Sequence, residues 1–515
     1  MFGSLIQLPL FIILAVTGAF GLLYWIISHQ VRPVTQKELR HIPELRFEGS
    51  NTAERYINET RNLLKLGYEK YLQYGVPFQM RNPIGEMGPQ VFLPIKYLDE
   101  VKRAPTTVFS FEEFSEKSFL LSYSHAPRQT DAAVRVIKDD LNSHLGSLVN
   151  GLWTETIACL EETVSSEWIT VPAYHFICSV VARTVSYGLV GPHLCRSPDW
   201  QRIVIETTYA IFGAANTIRD QYTPRWRWLA RWTDSTQKQL RQIRQQATKL
   251  LTPLYKQRLE AVANPSDFGD PSTTFQDTIY WLLGREQADK SLAGIVDQEL
   301  FLSIAAIHTT SGSLNSFIFD WIAHPEYHDD IIAEVNETLS EVQSSDKKWT
   351  MQHVAKMKKL DSFIKESARM SPIGFDATVT GQRLTLKPHT FKDGLHIPAG
   401  TTILFHAEGE HYNPNNYREP DKFDGYRFYH LREKIDPSRF HYTTVSDASL
   451  NFGAGQHSCP GRFFSALVTK FILVQLITKY EVKLEDGSIQ RPPDDFHDNN
   501  MRPGANVKIK IRRVD

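Results

Sequence analysis

The sequence predicts a mainly α protein with small β-sheets. One large domain, residues 32–515, follows an N-terminal transmembrane helix, residues 1–31. Three observations carry this. No Asp, Glu, Lys or Arg precedes Arg32, and residues 10–27 form an apolar stretch interrupted only by Thr17. Long apolar-periodic runs fill residues 130–370, broken by short Pro/Gly/Asp-rich loops such as 264–272. Short strand-like runs cluster at 377–405 and 479–511, with turn signals at Asp393-Gly394, Pro398-Ala399-Gly400 and Asp486-Gly487.

The first stretch, at about 1.5 Å per residue, comes close to crossing a ~30 Å hydrocarbon core, and Leu5 to Leu8 can extend it. Tyr24 and Trp25 stand where an interfacial belt is expected. Arg32, Lys37, Arg40 and Arg46 follow it, so the positive-inside tendency puts the body of the protein on the cytosolic side of a single-pass membrane protein. A cleaved secretory signal is the other reading; it lacks a basic leading region, and the apolar run is long for it. Pro33 stops the helix. A cytosolic body leaves the sequons at Asn58 and Asn336 silent.

Composition narrows the function. Fifty-seven Lys+Arg against 58 Asp+Glu give a net charge of −1, without the basic excess of a nucleic-acid binder. Hydrophobic content of 42% argues against disorder. Cys159, Cys178, Cys195 and Cys459 form no disulfide framework and no zinc spacing, which suits a reducing compartment.

Residues 300–319 carry no charge, which is membrane length, but His308, Thr309, Thr310, Ser311, Ser313, Asn315 and Ser316 make them too polar for lipid. A helix through the middle of a large domain fits better, with its hydroxyls satisfied by a ligand, water or a kink.

The chemistry centres on Phe452-Gly453-Ala454-Gly455-Gln456-His457-Ser458-Cys459-Pro460-Gly461-Arg462. This is a glycine-rich loop entering a helix. Gly453 and Gly455 permit tight turning and close approach to something flat. Pro460 suits the first turn of the next helix, which places Cys459 at a helix N-terminus and favours its thiolate. His457 and Arg462 add positive potential. Such a thiolate is a nucleophile or a metal ligand, and one axial thiolate suffices for haem iron. A buried structural cysteine is the plainer alternative.

This loop resembles the signature of the cytochrome P-450 haem-thiolate family, Phe-x-x-Gly-x-(Arg/His)-x-Cys-x-Gly, with every fixed position met. The resemblance implies the cytochrome P-450 fold, haem b with Cys459 as the proximal iron ligand, His457 on a haem propionate, and Phe452 near the sulfur. Glu366 and Arg369 match the family's Glu-x-x-Arg, on a helix with Leu360, Phe363 and Ile364 on its apolar face and Pro372 after it. Arg427, in Lys422-Phe423-Asp424-Gly425-Tyr426-Arg427-Phe428, matches their partner, and the three imply a structural lock. Ala305-Ala306-Ile307-His308-Thr309-Thr310 is similar to the oxygen-activation segment, with Thr309 as the threonine that helps deliver protons to O2. Ala306 replaces a glycine and His308 replaces an acid; His308 is either a proton relay or a satisfied core histidine. Of the family's Trp-x-x-x-Arg, Asp131-Ala132-Ala133-Val134-Arg135 keeps only the arginine, so Arg135 is either a propionate contact or an exposed charge. Residues 374–380 lack the arginine that family members often carry there. The matching segments run from about 300 to 485.

The resemblance further implies a monooxygenase acting on a small apolar substrate. It takes electrons from NADPH through a separate flavoprotein reductase docked near Arg462, Arg128, Arg135 and Lys138, in the endoplasmic reticulum. The local wording is similar to filamentous-fungal members that oxidise terpenoids in secondary-metabolite biosynthesis. A reductase-independent isomerase or dehydratase, and a non-enzymatic haem-bound carrier or sensor, remain the alternatives. Substrate contacts are expected near 95–125, 205–220, 371–379 and 494–504. Residues 222–232 interleave Trp226, Trp228 and Trp232 with Arg225, Arg227 and Arg231. They read as a second contact with membrane lipid, or as a helix with part-buried tryptophans.

Overall fold

The structure is a computed structural model that describes residues 34–514 apart from 36, 82, 84–86, 269–274, 373–378, 499 and 505. The expected anchor, residues 1–31, and part of the expected 371–379 and 494–504 substrate segments lie outside the described residues.

The principal helices are α1 (Leu145–Thr163), α2 (Ala173–Leu194), α3 (Pro198–Gln221), α4 (Ser235–Ala263), α5 (Leu292–Ala323), α6 (Lys358–Met370) and α7 (Arg462–Lys479). Side-chain caps start several of them. Ser197 caps α3 with Pro198 behind it, Asp234 caps α4, and Ser291 accepts the Gly294 N–H of α5.

The strands are β1 (Glu44–Leu45), β2 (Phe78–Arg81), β3 (Pro89–Phe92), β4 (Phe109–Ser110), β5 (Ile169–Pro172), β6 (Thr380–Thr385), β7 (His389–Thr390), β8 (His396–Ile397), β9 (Thr402–Phe405), β10 (Tyr480–Leu484), β11 (Asp494–His497), β12 (Asn500–Pro503) and β13 (Lys508–Arg513). A six-stranded sheet runs β1-β2-β3-β9-β6-β4, and a three-stranded one runs β10-β13-β5. The parallel β3–β9 pair, with Val91 opposite Ile403, joins the start of the chain to its last third.

The largest core draws on α1, α2, α3, α5 and α7, with Val181, Leu300, Phe317 and Phe471 inside it. Helix α5 crosses this core. Among the described residues it is the helix long and apolar enough to span a membrane, but half of that stretch is buried in protein. Several of its polar side chains are satisfied internally. Ser311 donates to Ile307 O, Asn315 to Pro503 O at 2.8 Å, and Ser316 accepts from Arg491 at 2.8 Å. The unbroken charge-free run is therefore a core helix, as its polarity predicted. Gly188 on α2 lets the Phe464 ring of α7 come close: a Cβ there would sit 2.8 Å from the ring. That contact fixes where the helix after the cysteine loop begins.

Candidate active site

The buried lock comes first, because it holds the rest. On α6, Arg369 grips Glu366 with two bonds of 2.8 Å, as the i, i+3 spacing requires. Arg427 reaches the same carboxylate at 3.1 Å from a distant segment. Glu366, Arg369 and Arg427 are 0%, 1% and 8% exposed. Two cations against one anion would be costly in the interior. Backbone carbonyls offset the excess: Arg369 donates to His411 O at 2.7 Å, and Arg427 to Arg418 O at 2.5 Å and Lys422 O at 3.0 Å. The guanidinium groups thereby fix the irregular chain before the cysteine loop. His411 carries the connection onward, since its Nε2 accepts the Leu450 N–H.

The cysteine loop follows. Gly453 and Gly455 both adopt positive φ, +73° and +61°, where a side chain is strained. The Cys459 N–H closes the turn on Phe452 O at 2.8 Å. Phe452 packs edge-on against Tyr442, whose ring also meets Phe317 of α5. Pro460 does not open the next helix. Helix α7 starts at Arg462 with Gly461 as its N-cap, so the proline belongs to the approach.

The expected bias toward thiolate is also reversed in the protein alone. Burial pushes the Cys459 thiol up, against the N–H groups of Gly461 and Arg462 and the Arg462 charge. Cys459 as a residue is nonetheless exposed although protein surrounds its thiol, so the loop borders an interior space. Cys159, Cys178 and Cys195 are buried, and burial raises their thiols to about 11, 11 and 12.

Thr310 Oγ1 and Ser465 Oγ share a hydrogen bond of 3.0 Å, which brings the 305–310 turn of α5 against α7. Ala305 is exposed and Thr309 partly so, midway along a mostly buried helix. Both therefore face interior space. The Thr309 hydroxyl donates to Ala305 O at 2.7 Å. His308 points elsewhere: its Nδ1 is 2.8 Å from Tyr174 Oη and its Nε2 is 3.0 Å from Ile205 O.

Sequence reading missed Arg383. On β6, three residues past the window searched for an arginine, it is 8% exposed. It donates to Gln382 O at 2.7 Å, lies over Phe111, and makes no ion pair among the described residues. Burial pushes its guanidinium down to about 10. Its charge reaches His457, whose imidazole burial, and then Arg383, push down. Both effects disfavour the imidazolium and so weaken the positive potential expected of His457. A buried guanidinium with no ion pair among the described residues, beside that imidazole, suits a carboxylate-bearing group such as haem, and the exposed Cys459 suits its iron. Arg135, by contrast, is exposed at the end of helix Asp131–Arg135. Among the described residues no cluster of His, Cys, Asp and Glu could hold a metal ion.

A helical domain with this lock, loop and central helix is the scaffold of a haem-dependent oxygenase. The chain belongs to the cytochrome P450 family, whose model matches residues 162–511. It is 54% identical over 494 residues to cytochrome P450 monooxygenase CYP3 of Pyricularia oryzae, covering 91% of this chain and 96% of that protein. It is 52% identical over 502 residues to cytochrome P450 monooxygenase ccsG of Aspergillus clavatus, covering 97% and 98%. It is 48% identical over 504 residues to pyrichalasin C-7 hydroxylase of Pyricularia grisea, covering 98% of each. The protein is accordingly an oxidoreductase of the cytochrome P450 monooxygenase type, and the family uses haem b, O2 and electrons from NADPH.

Proposed function

We propose that this chain hydroxylates an apolar fungal secondary metabolite at the site bounded by Cys459 and Thr309. The exposed Cys459 behind the Gly453–Gly455 turn carries the reading. Haem b, when bound, supplies dioxygen activation and oxygen transfer. Cys459 would hold the iron, Phe452 would shield the sulfur, and Arg383 and His457 would hold propionate, with Arg135 an outer contact. Glu366, Arg369 and Arg427 position the loop. Thr309 presents a hydroxyl whose proton is bonded to Ala305 O, leaving its oxygen free to accept from bound water.

Hydroxylation is favoured by the relative named pyrichalasin C-7 hydroxylase. The terpenoid class expected from local wording has no counterpart in the relatives' printed names, so the substrate enters the proposal by its apolar character alone. Residues 1–31 would anchor the 32–515 domain in the endoplasmic reticulum, beside an NADPH-dependent flavoprotein reductase. Reconstitution with such a reductase and isotope-labelled dioxygen tests this. One labelled oxygen atom in the product, dependent on NADPH, is expected. Turnover without reductase, or with unlabelled oxygen, overturns it.

A further inference from the structure

His308 stands where the family pattern has an acid, and its surroundings specify its role more closely than its titration does. The group facing Nε2 is the Ile205 carbonyl at 3.0 Å, which can only accept, so Nε2 carries the hydrogen. A neutral ring then accepts at Nδ1, and the Tyr174 hydroxyl donates to it at 2.8 Å. Burial pushes the imidazole below its ordinary value, in keeping with the neutral form. The Tyr209 ring closes a third side, edge-on at 5.2 Å.

Both nitrogens are thereby committed. An amide carbonyl does not pass a proton on, so a proton entering from Tyr174 has no exit through Nε2. What the pair of bonds does is tie α5 to the first turn of α2 and to the first third of α3. The tie is made at the residue next to Thr309, within the turn whose Ala305 and Thr309 face interior space.

We propose that His308 is a positioning residue rather than a proton carrier. Tyr174 and Ile205 fix its neutral Nε2–H tautomer, and the clamp sets the rotation of the 305–309 turn and so the aim of the Thr309 hydroxyl. This rests on the hydroxylase reading above, in which Thr309 serves the oxygen chemistry. Tyr174, outside every matched motif, thereby becomes a determinant of coupling between electron use and product.

Glutamine separates the two roles, because it can donate to Ile205 O and accept from Tyr174 but does not exchange a proton as imidazole does. In the reconstituted holoenzyme, His308→Gln should keep product per NADPH within about twofold of wild type, whereas His308→Ala should lower it roughly tenfold or more. A second readout needs no turnover. Tyr174→Phe should lower the unfolding midpoint in the wild-type background and leave it unchanged in the His308→Ala background. His308→Gln falling as far as His308→Ala, or Tyr174→Phe acting alike in both backgrounds, overturns the clamp. Thr309→Ala, run alongside, tests the underlying reading: lost coupling supports it, and unchanged coupling overturns both.

Discussion

The Leu450 N–H bonds to Nε2 of His411 across 3.1 Å, and that bond connects the buried ion triad to the cysteine loop. It exists only while Nε2 is unprotonated. Burial holds the His411 imidazole down at about 3, and that of nearby His406 at about 4. Both folded values lie below the unfolded value of about 6.5, so the unfolded chain takes up protons first. Their stabilisation is complete above about pH 6.5 and is lost as pH falls toward the folded values, at about 1.4 kcal/mol per pH unit for each ring. Unfolding midpoints should therefore drop between pH 6.5 and 4.5, with a shallower slope in His411→Gln. A flat profile in wild type would remove this account of the link.

Glu366→Gln leaves two buried guanidinium groups facing a neutral amide. The expected loss is about 3–5 kcal/mol, seen as little soluble pigment on expression and a lowered urea midpoint. A variant with normal yield and midpoint would show that the carbonyls of His411, Arg418 and Lys422 suffice without the carboxylate.

Arg383→Met keeps the volume and removes the charge. Alone, the protein should tolerate this or gain stability, because a buried unpaired cation is costly. Holoenzyme should lose haem to an acceptor such as apomyoglobin at least severalfold faster. Unchanged haem transfer would remove Arg383 from the propionate contact.

Trp226, Trp228 and Trp232 are 54%, 51% and 68% exposed, with Trp228 and Trp232 edge-on to each other. They lie on a 3-10 turn, Pro224–Leu229, and the short helix Ala230–Thr233, not on one continuous helix. Arg227, interleaved with the tryptophans in the sequence, is buried. The aromatic surface remains, and a water-exposed tryptophan trio suits the lipid headgroup layer. In protein lacking residues 1–31, replacing all three with Ser should weaken sedimentation with anionic vesicles severalfold. Equal binding would leave the patch without that role.

What the sequence disclosed follows from the range of its signals. Glu366–Arg369 and the turn at Gly453 and Gly455 are local, so spacing and backbone freedom reveal them directly. The central helix was legible because its polarity contradicts lipid. Arg383, Tyr174 and His411 were not legible, since each acquires its role from a partner far along the chain: His457, His308 and Leu450. The thiolate bias misled because helix-end electrostatics can be read from order, whereas burial of Cys459 cannot. The helix start was placed early at Pro460 because Gly461 gives no side-chain cap to mark it.

The account stands on sulfur ligation of haem by Cys459, and carbon monoxide binding to the dithionite-reduced holoprotein tests it most directly. It predicts a Soret band at the long-wavelength position that marks a thiolate ligand, lost in Cys459→Ala. A band at the position of imidazole-ligated haem, or a wild-type protein that takes up no haem, would contradict it.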